Sequence, residues 1–105
     1  MKIIITSTGN TLDAEFDQRF GRAGWYCVFN TEDGTTEFIE NENKDRQGGA
    51  GTKAAEQVAA LGVEKVISGH FGPKAEDLLN KLSVQMVILH EQNPTVQEVI
   101  DQIKN

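Results

Sequence analysis

The chain has 105 residues, of which 38% are hydrophobic and 25% are charged, and its formal net charge is −6. This length allows one domain with a single core, so we expect residues 1–105 to form one folding unit. The acidic balance argues against a general nucleic-acid-binding protein, which would carry a basic face, and it fits ordinary solubility. It is compatible with a local cationic pocket.

The single cysteine, Cys27, cannot form an internal disulfide and cannot supply the four thiolates of an iron–sulfur or zinc site. The apolar run near the start consists of Ile3, Ile4 and Ile5. It is far shorter than the apolar region of a signal peptide or the roughly 20 residues that span a bilayer. We therefore expect a cytoplasmic protein without a membrane partner.

The first half of the chain predicts three strands. Residues 2–6 form a short apolar, β-branched run typical of a strand buried on both faces. Residues 25–30 and 35–40 are rich in aromatic and β-branched residues. They flank the pair Asp33-Gly34, which is a strong signal for a hairpin.

Two loops and a helix are predicted around these strands. The polar, glycine-punctuated residues 7–24 predict a long loop, and residues 41–51, first charged and then glycine-rich, predict a mobile one. Residues 52–61 predict a helix that Gly62 ends. The apolar face of this helix consists of Ala54, Val58 and Leu61.

The second half of the chain alternates strands and helices. Residues 63–68 and 84–89 are apolar runs that predict buried strands. Pro73 opens a second helix, because its missing N–H costs nothing at the first helical position. The apolar stripe of that helix is Leu78, Leu79 and Leu82. A third helix starts near Asn93-Pro94 and presents Val96, Val99, Ile100 and Ile103 on one face.

This order of elements, β-β-β-α-β-α-β-α, predicts an α/β fold with a mixed five-stranded sheet and three helices. The hairpin makes the second strand antiparallel, whereas the β-α-β-α-β portion requires parallel strands joined by right-handed crossovers. The carboxyl ends of the other four strands then share one edge of the sheet. Open α/β sheets bind ligands at such an edge. The loops that leave it are residues 7–24, 41–51, 69–72 and 90–93.

The segment Arg19-Phe20-Gly21-Arg22 is a cationic island in the otherwise acidic first half of the chain. Arginine suits anions with several acceptor atoms, because it is always charged and presents a fork of donors. Two interpretations are equally supported. The guanidinium groups bind an anionic ligand, or they pair with the acids just upstream, which are Asp13, Glu15 and Asp17.

Two glycine-rich turns lead directly into helices. Gly48-Gly49-Ala50-Gly51 precedes the first helix, and its glycines would let the backbone approach an anion at the free N–H groups. Without a following Gly-Lys-Ser/Thr it is not a P-loop, and a merely flexible loop is the other interpretation. Gly69-His70-Phe71-Gly72 precedes the second helix, where the imidazole of His70 could bind a soft metal or an anion. A hydrogen bond from His70 to the backbone is the alternative there.

Other candidates carry less weight. Lys74, in the first turn of the second helix, opposes the helix dipole, which a nearby anion or simple exposure to solvent explains. Cys27 alternates with Trp25 and Phe29, so we expect it in the core. His90 ends the last strand and is a weaker second histidine. We expect no enzymatic activity, because no nucleophile elbow and no metal-ligand spacing is present in the sequence.

The segments at residues 19–22, 48–51 and 69–72, together with the isoleucine run at residues 3–5, occur in a spacing that resembles the dinitrogenase iron–molybdenum cofactor biosynthesis family over nearly the whole chain. The resemblance implies a ribonuclease H-like motif with sheet order 3-2-1-4-5 and an antiparallel second strand. It also implies binding of metal–sulfur clusters, nitrogenase cofactor precursors among them, without a full set of cysteine ligands. The family usually has histidine where Arg19 stands, so an arginine here attracts an anion but does not coordinate a metal, which leaves His70 as the predicted metal ligand.

The leading hypothesis is non-catalytic binding or carriage of a small anionic metal–sulfur cluster, containing iron or molybdenum, with a protein partner for cluster transfer. A phosphate or nucleotide sensor and a protein–protein adaptor, using the aromatic strand at residues 25–29, are the alternatives. The predicted cofactor-binding residues are Arg19, Phe20, Gly21, Arg22, Gly48, Gly49, Gly51, His70, Phe71 and Gly72.

Overall fold

The computed structural model describes residues 1–104. Five strands form one sheet: β1 (Lys2–Ser7), β2 (Trp25–Asn30), β3 (Thr36–Glu40), β4 (Lys65–Ser68) and β5 (Gln85–Ile88). Their order is β3-β2-β1-β4-β5. β2 is antiparallel to both of its neighbours, whereas β1, β4 and β5 run parallel. The predicted fold class, sheet order and strand direction are confirmed.

Three helices cover the sheet: α1 (Ala50–Ala60), α2 (Pro73–Lys81) and α3 (Val96–Lys104). α1 and α2 pack on one face with Ile4, Tyr26 and Val66 of the strands, and α3 packs on the other with Ile3 and Ile5. The alternating faces of β1 therefore each meet a helix layer, which explains its uninterrupted isoleucine run. None of the helices in residues 1–104 has the length and apolar character that crossing a membrane requires.

The predicted element boundaries were wrong at several positions. α1 begins at Ala50, two residues earlier than predicted, so Gly51 lies in the helix rather than in the preceding loop. Val63 and Val84 are buried but precede β4 and β5, because burial of an apolar side chain does not require a ladder hydrogen bond. Leu82 is 44% exposed, since α2 ends at Lys81 and Leu82 only caps it.

Residues 8–24 form the long loop, one residue shorter than predicted because Ser7 belongs to β1, and the beginning of α3 holds part of it. The backbone N–H groups of Val96 and Gln97 donate to the carbonyls of Ala14 (2.9 Å) and Leu12 (3.0 Å). Thr95 and Glu98 form a capping box, in which Glu98 N donates to Thr95 Oγ1 (3.1 Å) and Thr95 N donates to Glu98 Oε1 (2.9 Å). All of these contacts satisfy donors that a helix end otherwise leaves free.

The hairpin between β2 and β3 forms where the Asp33-Gly34 pair predicted it. Gly34 adopts a φ of 74°, and its N–H donates to the carbonyl of Asn30 (2.9 Å). Positive φ at this position costs glycine little, because glycine has no Cβ. The hairpin is therefore a product of local sequence.

Candidate functional site

Three segments from distant parts of the chain enclose a cleft of about 490 Å³ at the carboxyl edge of the sheet. They are residues 19–22 of the long loop, the first turn of α1, and the turn from β4 into α2. The basic side chains that line it are those of Arg19, Arg22, His70 and Lys74. The remaining lining consists of Phe20, Gly21, Gly49, Ala50, Gly51, Thr52, Gly72, Pro73 and Ala75.

Phe20 anchors the first segment to the core through two other aromatic side chains. It is 1% exposed, and the centroid of its ring lies 5.8 Å from the ring centroid of Tyr26 and 5.2 Å from that of Phe71. The Tyr26 hydroxyl donates to the Phe20 carbonyl at 2.8 Å, and Phe20 N donates to the carbonyl of His70 at 3.1 Å. The cationic segment is therefore fixed against the turn that carries His70.

Burial raises the pKa of the Tyr26 hydroxyl well above its ordinary value of 10.0, and the charge of Asp17 adds to this effect. The hydroxyl is thus a hydrogen-bond donor, not a phenolate, at any physiological pH. It supports the shape of the cleft without adding a charge to it.

The backbones of two glycines meet at the base of the cleft. A Cβ built on Gly21 would lie 2.9 Å from the Cα of Gly51, and one built on Gly51 would lie 3.2 Å from the Cβ of Ala75. Only a residue without a side chain allows the loop at Gly21 to approach α1 this closely. The close approach of α1 to Ala75 of α2 in turn explains the glycine in the first turn of α1.

The starts of α1 and α2 both line the cleft, and the first N–H groups of each helix lack a partner within the helix, except at Pro73, which has no N–H. Gly49 precedes α1 with a φ of 74°, Gly72 precedes α2 in an extended conformation, and neither helix has a side-chain cap. At the start of α3, by contrast, loop carbonyls and Thr95 accept the first N–H groups. The partial positive charge of two helix ends is therefore directed into one cleft.

Arg19 lines the cleft and pairs with Asp17, one of the acids just upstream, so the ion-pair interpretation is confirmed for it, whereas anion binding stays a prediction. Its Nε lies 3.2 Å from Oδ1 of Asp17 and its Nη2 lies 3.4 Å from Oδ2. The Asp17 side chain is 5% exposed, whereas that of Arg19 is 64% exposed. The backbone N–H of Arg19 also donates to Oδ1 (3.0 Å). Asp17 therefore offsets the charge of Arg19 beside the cleft.

Arg22 has no carboxylate partner among residues 1–104. Its Nη1 donates to the carbonyl oxygens of Lys44 (2.7 Å) and Arg46. These hydrogen bonds connect the loop after β3 to the edge of the cleft, and the mobility predicted for this loop stays a prediction. Asn41, at the start of that loop, is 1% exposed and donates to the carbonyls of Gly21 and Ala23.

The structure brings together most of the predicted site residues, with exceptions. Gly48 lies outside the cleft lining, and Phe71 is 6% exposed in the core rather than in the cleft. Its neighbour His70 faces outward instead, because successive residues of this turn point in opposite directions. His90 does not line the cleft either, and its segment contacts Gln18, whose Nε2 donates to the carbonyl of Glu91.

Sequence reasoning missed Ala50, Thr52, Pro73 and Ala75 in the lining, and Asn41 behind it. The first four follow the glycine turns directly, so extending each turn by one helical turn would have found them. Nothing in the sequence distinguishes Asn41 from the other polar residues of its loop.

The metal donors near the cleft are few. Among the residues that the structure describes, no three His, Cys, Asp or Glu side chains are grouped as a metal site. Cys27 is fully buried in the α3-side core, as predicted, and burial raises the pKa of its thiol to about 12. Cys27 lies on the face of the sheet opposite to α1 and α2, so its thiol does not reach the cleft. His70 is the one imidazole in the lining.

The predicted adaptor surface is largely buried in this fold. Tyr26 and Phe29 are buried on opposite faces of β2. Trp25 is half-buried, so it is the aromatic residue of this strand that keeps part of its side chain exposed.

Fold and cleft together define a small α/β domain with a basic cleft at the carboxyl edge of a mixed sheet. The family model for dinitrogenase iron-molybdenum cofactor proteins matches residues 1–105. The chain therefore belongs to the dinitrogenase iron-molybdenum cofactor family, as its sequence predicted. This membership associates it with cofactor binding or carriage.

Individual relatives agree with this assignment. The orange protein of Desulfovibrio gigas, whose structure was solved in its apo form, superposes with a TM-score of 0.90 at 29% identity over 98% of this chain and 86% of that one. TM1290 of Thermotoga gives a TM-score of 0.83 at 31% identity, over 98% of this chain and 86% of that one. An uncharacterised protein of Methanocaldococcus jannaschii is 30% identical over 89 residues, covering 82% of this chain and 72% of that protein.

Proposed function

We propose that residues 1–105 act as a single non-catalytic domain that binds or carries a small, preassembled anionic metal–sulfur cluster in this cleft. The observation that carries the proposal is the charge of the lining. Four basic side chains and two helix starts face the cleft, and none of its lining residues is acidic. In a chain with a net charge of −6, such a concentration of positive charge favours an anionic ligand.

The donor set supports a cluster that arrives complete. A cluster assembled on the protein needs several thiolate, imidazole or carboxylate ligands. The cleft offers the imidazole of His70, while the thiol of Cys27 is buried elsewhere. A preassembled anion needs only charge, N–H donors and a fitting shape, and the side chain of His70 is placed to contact its surface.

Family membership supports the same ligand class. The family is described by the iron–molybdenum cofactor of dinitrogenase, and the orange protein has an apo form, so that relative also takes a bound group. The open face of the cleft leaves room for transfer to a second protein, which we include in the proposal. Arg19 stands where the resemblance implies a histidine, and Asp17 offsets its charge, so we propose that Arg22 and Lys74 supply most of the electrostatic attraction and that His70 supplies coordination.

Anaerobic reconstitution tests the proposal. The purified chain is incubated with preformed tetrathiomolybdate, and separately with sulfide and iron, molybdate or copper salts, singly and in combination, then desalted and analysed by visible absorbance and metal content. We expect a coloured complex in at least one combination, with uptake reduced in Arg22→Gln and an altered spectrum in His70→Ala. Gln92→Ala, an exposed residue outside the cleft lining, is the matched control and is expected to load normally. A colourless, metal-free wild type under every condition would contradict the proposal.

The free N–H groups of α1 and α2 also favour a second candidate, a phosphate or nucleotide sensor. A thermal-shift panel of phosphorylated ligands separates the two candidates. A ligand at a hundred times its dissociation constant adds about 2.7 kcal/mol to the free energy of unfolding, which is a readily measured shift. Stabilisation by a nucleotide but by no metal–sulfur anion would favour the sensor.

A further inference from the structure

The loop formed by residues 41–48, here called the strap, connects β3 to the glycine that precedes α1. Asn41 begins the strap, and its buried Nδ2 donates to the carbonyl oxygens of Gly21 (3.0 Å) and Ala23 (2.9 Å). These two carbonyls flank Arg22 in the chain. One side chain of the strap therefore holds the backbone on both sides of a cleft residue.

Arg22 in turn donates hydrogen bonds to the strap. Its Nη1 donates to the carbonyl oxygens of Lys44 (2.7 Å) and Arg46. Because Nη1 carries only two hydrogens, the strap uses both of them, and the edge formed by Nε and Nη2 keeps its own N–H donors. That edge presents two nearly parallel N–H groups, which match two acceptor atoms of one anion.

Arg19 does not offer the same edge. Its Nε and Nη2 both face the carboxylate of Asp17. Of the two arginines in the cleft lining, Arg22 therefore keeps the two-donor edge available for a ligand. The strap determines where that edge points.

We propose that Asn41 is a positioning residue, that the strap orients Arg22 for the anion, and that an anion bound by Arg22 in turn holds the strap in place. This inference rests on the proposed function and adds a coupling between ligand binding and strap order. Such coupling is reciprocal. If the ordered strap increases anion affinity by some factor, the bound anion stabilises the ordered strap by the same factor.

Trypsin measures strap order directly, because Lys44 and Arg46 are exposed residues of the strap. Initial rates of cleavage after these two residues are measured by mass spectrometry without a probe, with inorganic phosphate, and anaerobically with tetrathiomolybdate. Cleavage after Lys65, which requires opening of the central strand β4 between β1 and β5, serves as the internal reference for global unfolding. A probe that binds is expected to slow strap cleavage about fivefold or more relative to cleavage after Lys65, the low end of ordinary coupling.

Two variants test the direction of the effect. Arg22→Lys keeps the charge but lacks the planar fork, so strap cleavage is expected to accelerate and the protection by the probe to disappear. Asn41→Ala removes both donor bonds, and we expect about fivefold weaker probe binding with faster strap cleavage. Asn80→Ala, an exposed asparagine of α2 outside the cleft lining, is the matched control. If Asn41→Ala does not fold, the protection measured in wild type and Arg22→Lys decides the question.

Probe binding to the wild type without any change in strap cleavage would overturn the coupling and leave the proposed function standing. Normal probe affinity in folded Asn41→Ala would overturn the positioning role of Asn41. If neither the probes nor reconstitution load the wild type, the proposed function and the coupling both fail.

Discussion

The backbones of Gly21 and Gly51 approach so closely that a Cβ on Gly21 would lie 2.9 Å from the Cα of Gly51. This contact sets the distance between the loop that carries the arginines and the start of α1. The contact is between backbone atoms of both residues, which cannot move aside as the end of a flexible side chain can. The width of the cleft depends on it.

Gly21→Ala is accordingly expected to lower the free energy of unfolding by about 1–3 kcal/mol, the usual cost of inserting a methyl group into a close-packed contact. Ligand loading should fall with it, because the loop must shift away from α1. Chemical denaturation and reconstitution measure the two effects. Gly48→Ala is the control: nothing lies within 4 Å of a Cβ there, so stability should be unchanged or slightly higher. A stable Gly21→Ala with normal loading would show that the contact does not define the cleft.

The two cleft arginines are expected to differ in their effect on ligand binding. Arg22→Gln removes a charge that no carboxylate of residues 1–104 offsets, and we expect about tenfold or greater loss of affinity, as for a charged hydrogen bond. The double variant Asp17→Asn/Arg19→Gln removes an ion pair of zero net charge, and its affinity should stay within about threefold of the wild type.

Titration of each variant with tetrathiomolybdate at two salt concentrations measures this difference. The affinity of Arg22→Gln should depend less on salt than that of the wild type, because salt screens the charge that was removed. A double variant as weak as Arg22→Gln would show that the pair with Asp17 does not offset the charge of Arg19.

Cys27 makes stability fall at alkaline pH. Burial raises the pKa of its thiol from 9.0 to about 12, so between these values the unfolded chain has released the proton and the folded chain has kept it. The contribution of Cys27 is therefore fully present below pH 9 and is lost as the pH rises toward 12. Cys27→Ala has no thiol at this position. Above pH 9 the free energy of unfolding should therefore fall more steeply with pH in the wild type than in Cys27→Ala, by at most about 1.4 kcal/mol per pH unit.

Denaturant unfolding of both proteins between pH 8 and pH 10.5, values chosen on either side of the ordinary thiol pKa, provides the measurement. Tyr26 ionises on unfolding in both proteins, so its contribution cancels in the comparison. Parallel pH profiles for the two proteins would show that the thiol is not protected from ionisation in the folded state.

Thr95→Ala removes the side-chain acceptor at the start of α3. We expect the free energy of unfolding to fall by about 1 kcal/mol, the ordinary value for loss of an N-cap. Cluster loading should be unaffected, since α3 packs on the face of the sheet opposite to α1 and α2. Thermal unfolding and reconstitution measure the two effects, and reduced loading in a folded variant would indicate that the long loop transmits a change from α3 to Arg19.

Much of the fold follows from local patterns and connection rules. The isoleucine run of β1, the Asp33-Gly34 turn and the proline at the start of α2 each act over a few residues. The handedness of crossovers then leaves few arrangements of the strands. The capping box Thr95-Val96-Gln97-Glu98 can also be recognised from the sequence, and it would have placed the start of α3 correctly.

The sequence by itself determined which segments form the edge of the sheet and that they carry glycine, arginine and histidine. Only the tertiary structure decided that Arg22 donates to the loop after β3, that Phe71 turns into the core, and that Asn41 donates to the carbonyl of Gly21. The physical reason is that propensities and hydrophobic periods act between near neighbours in the chain. The partner of a side chain depends on where segments 20 or more residues apart come to rest, as the hydrogen bonds from Arg22 to residues 44 and 46 illustrate.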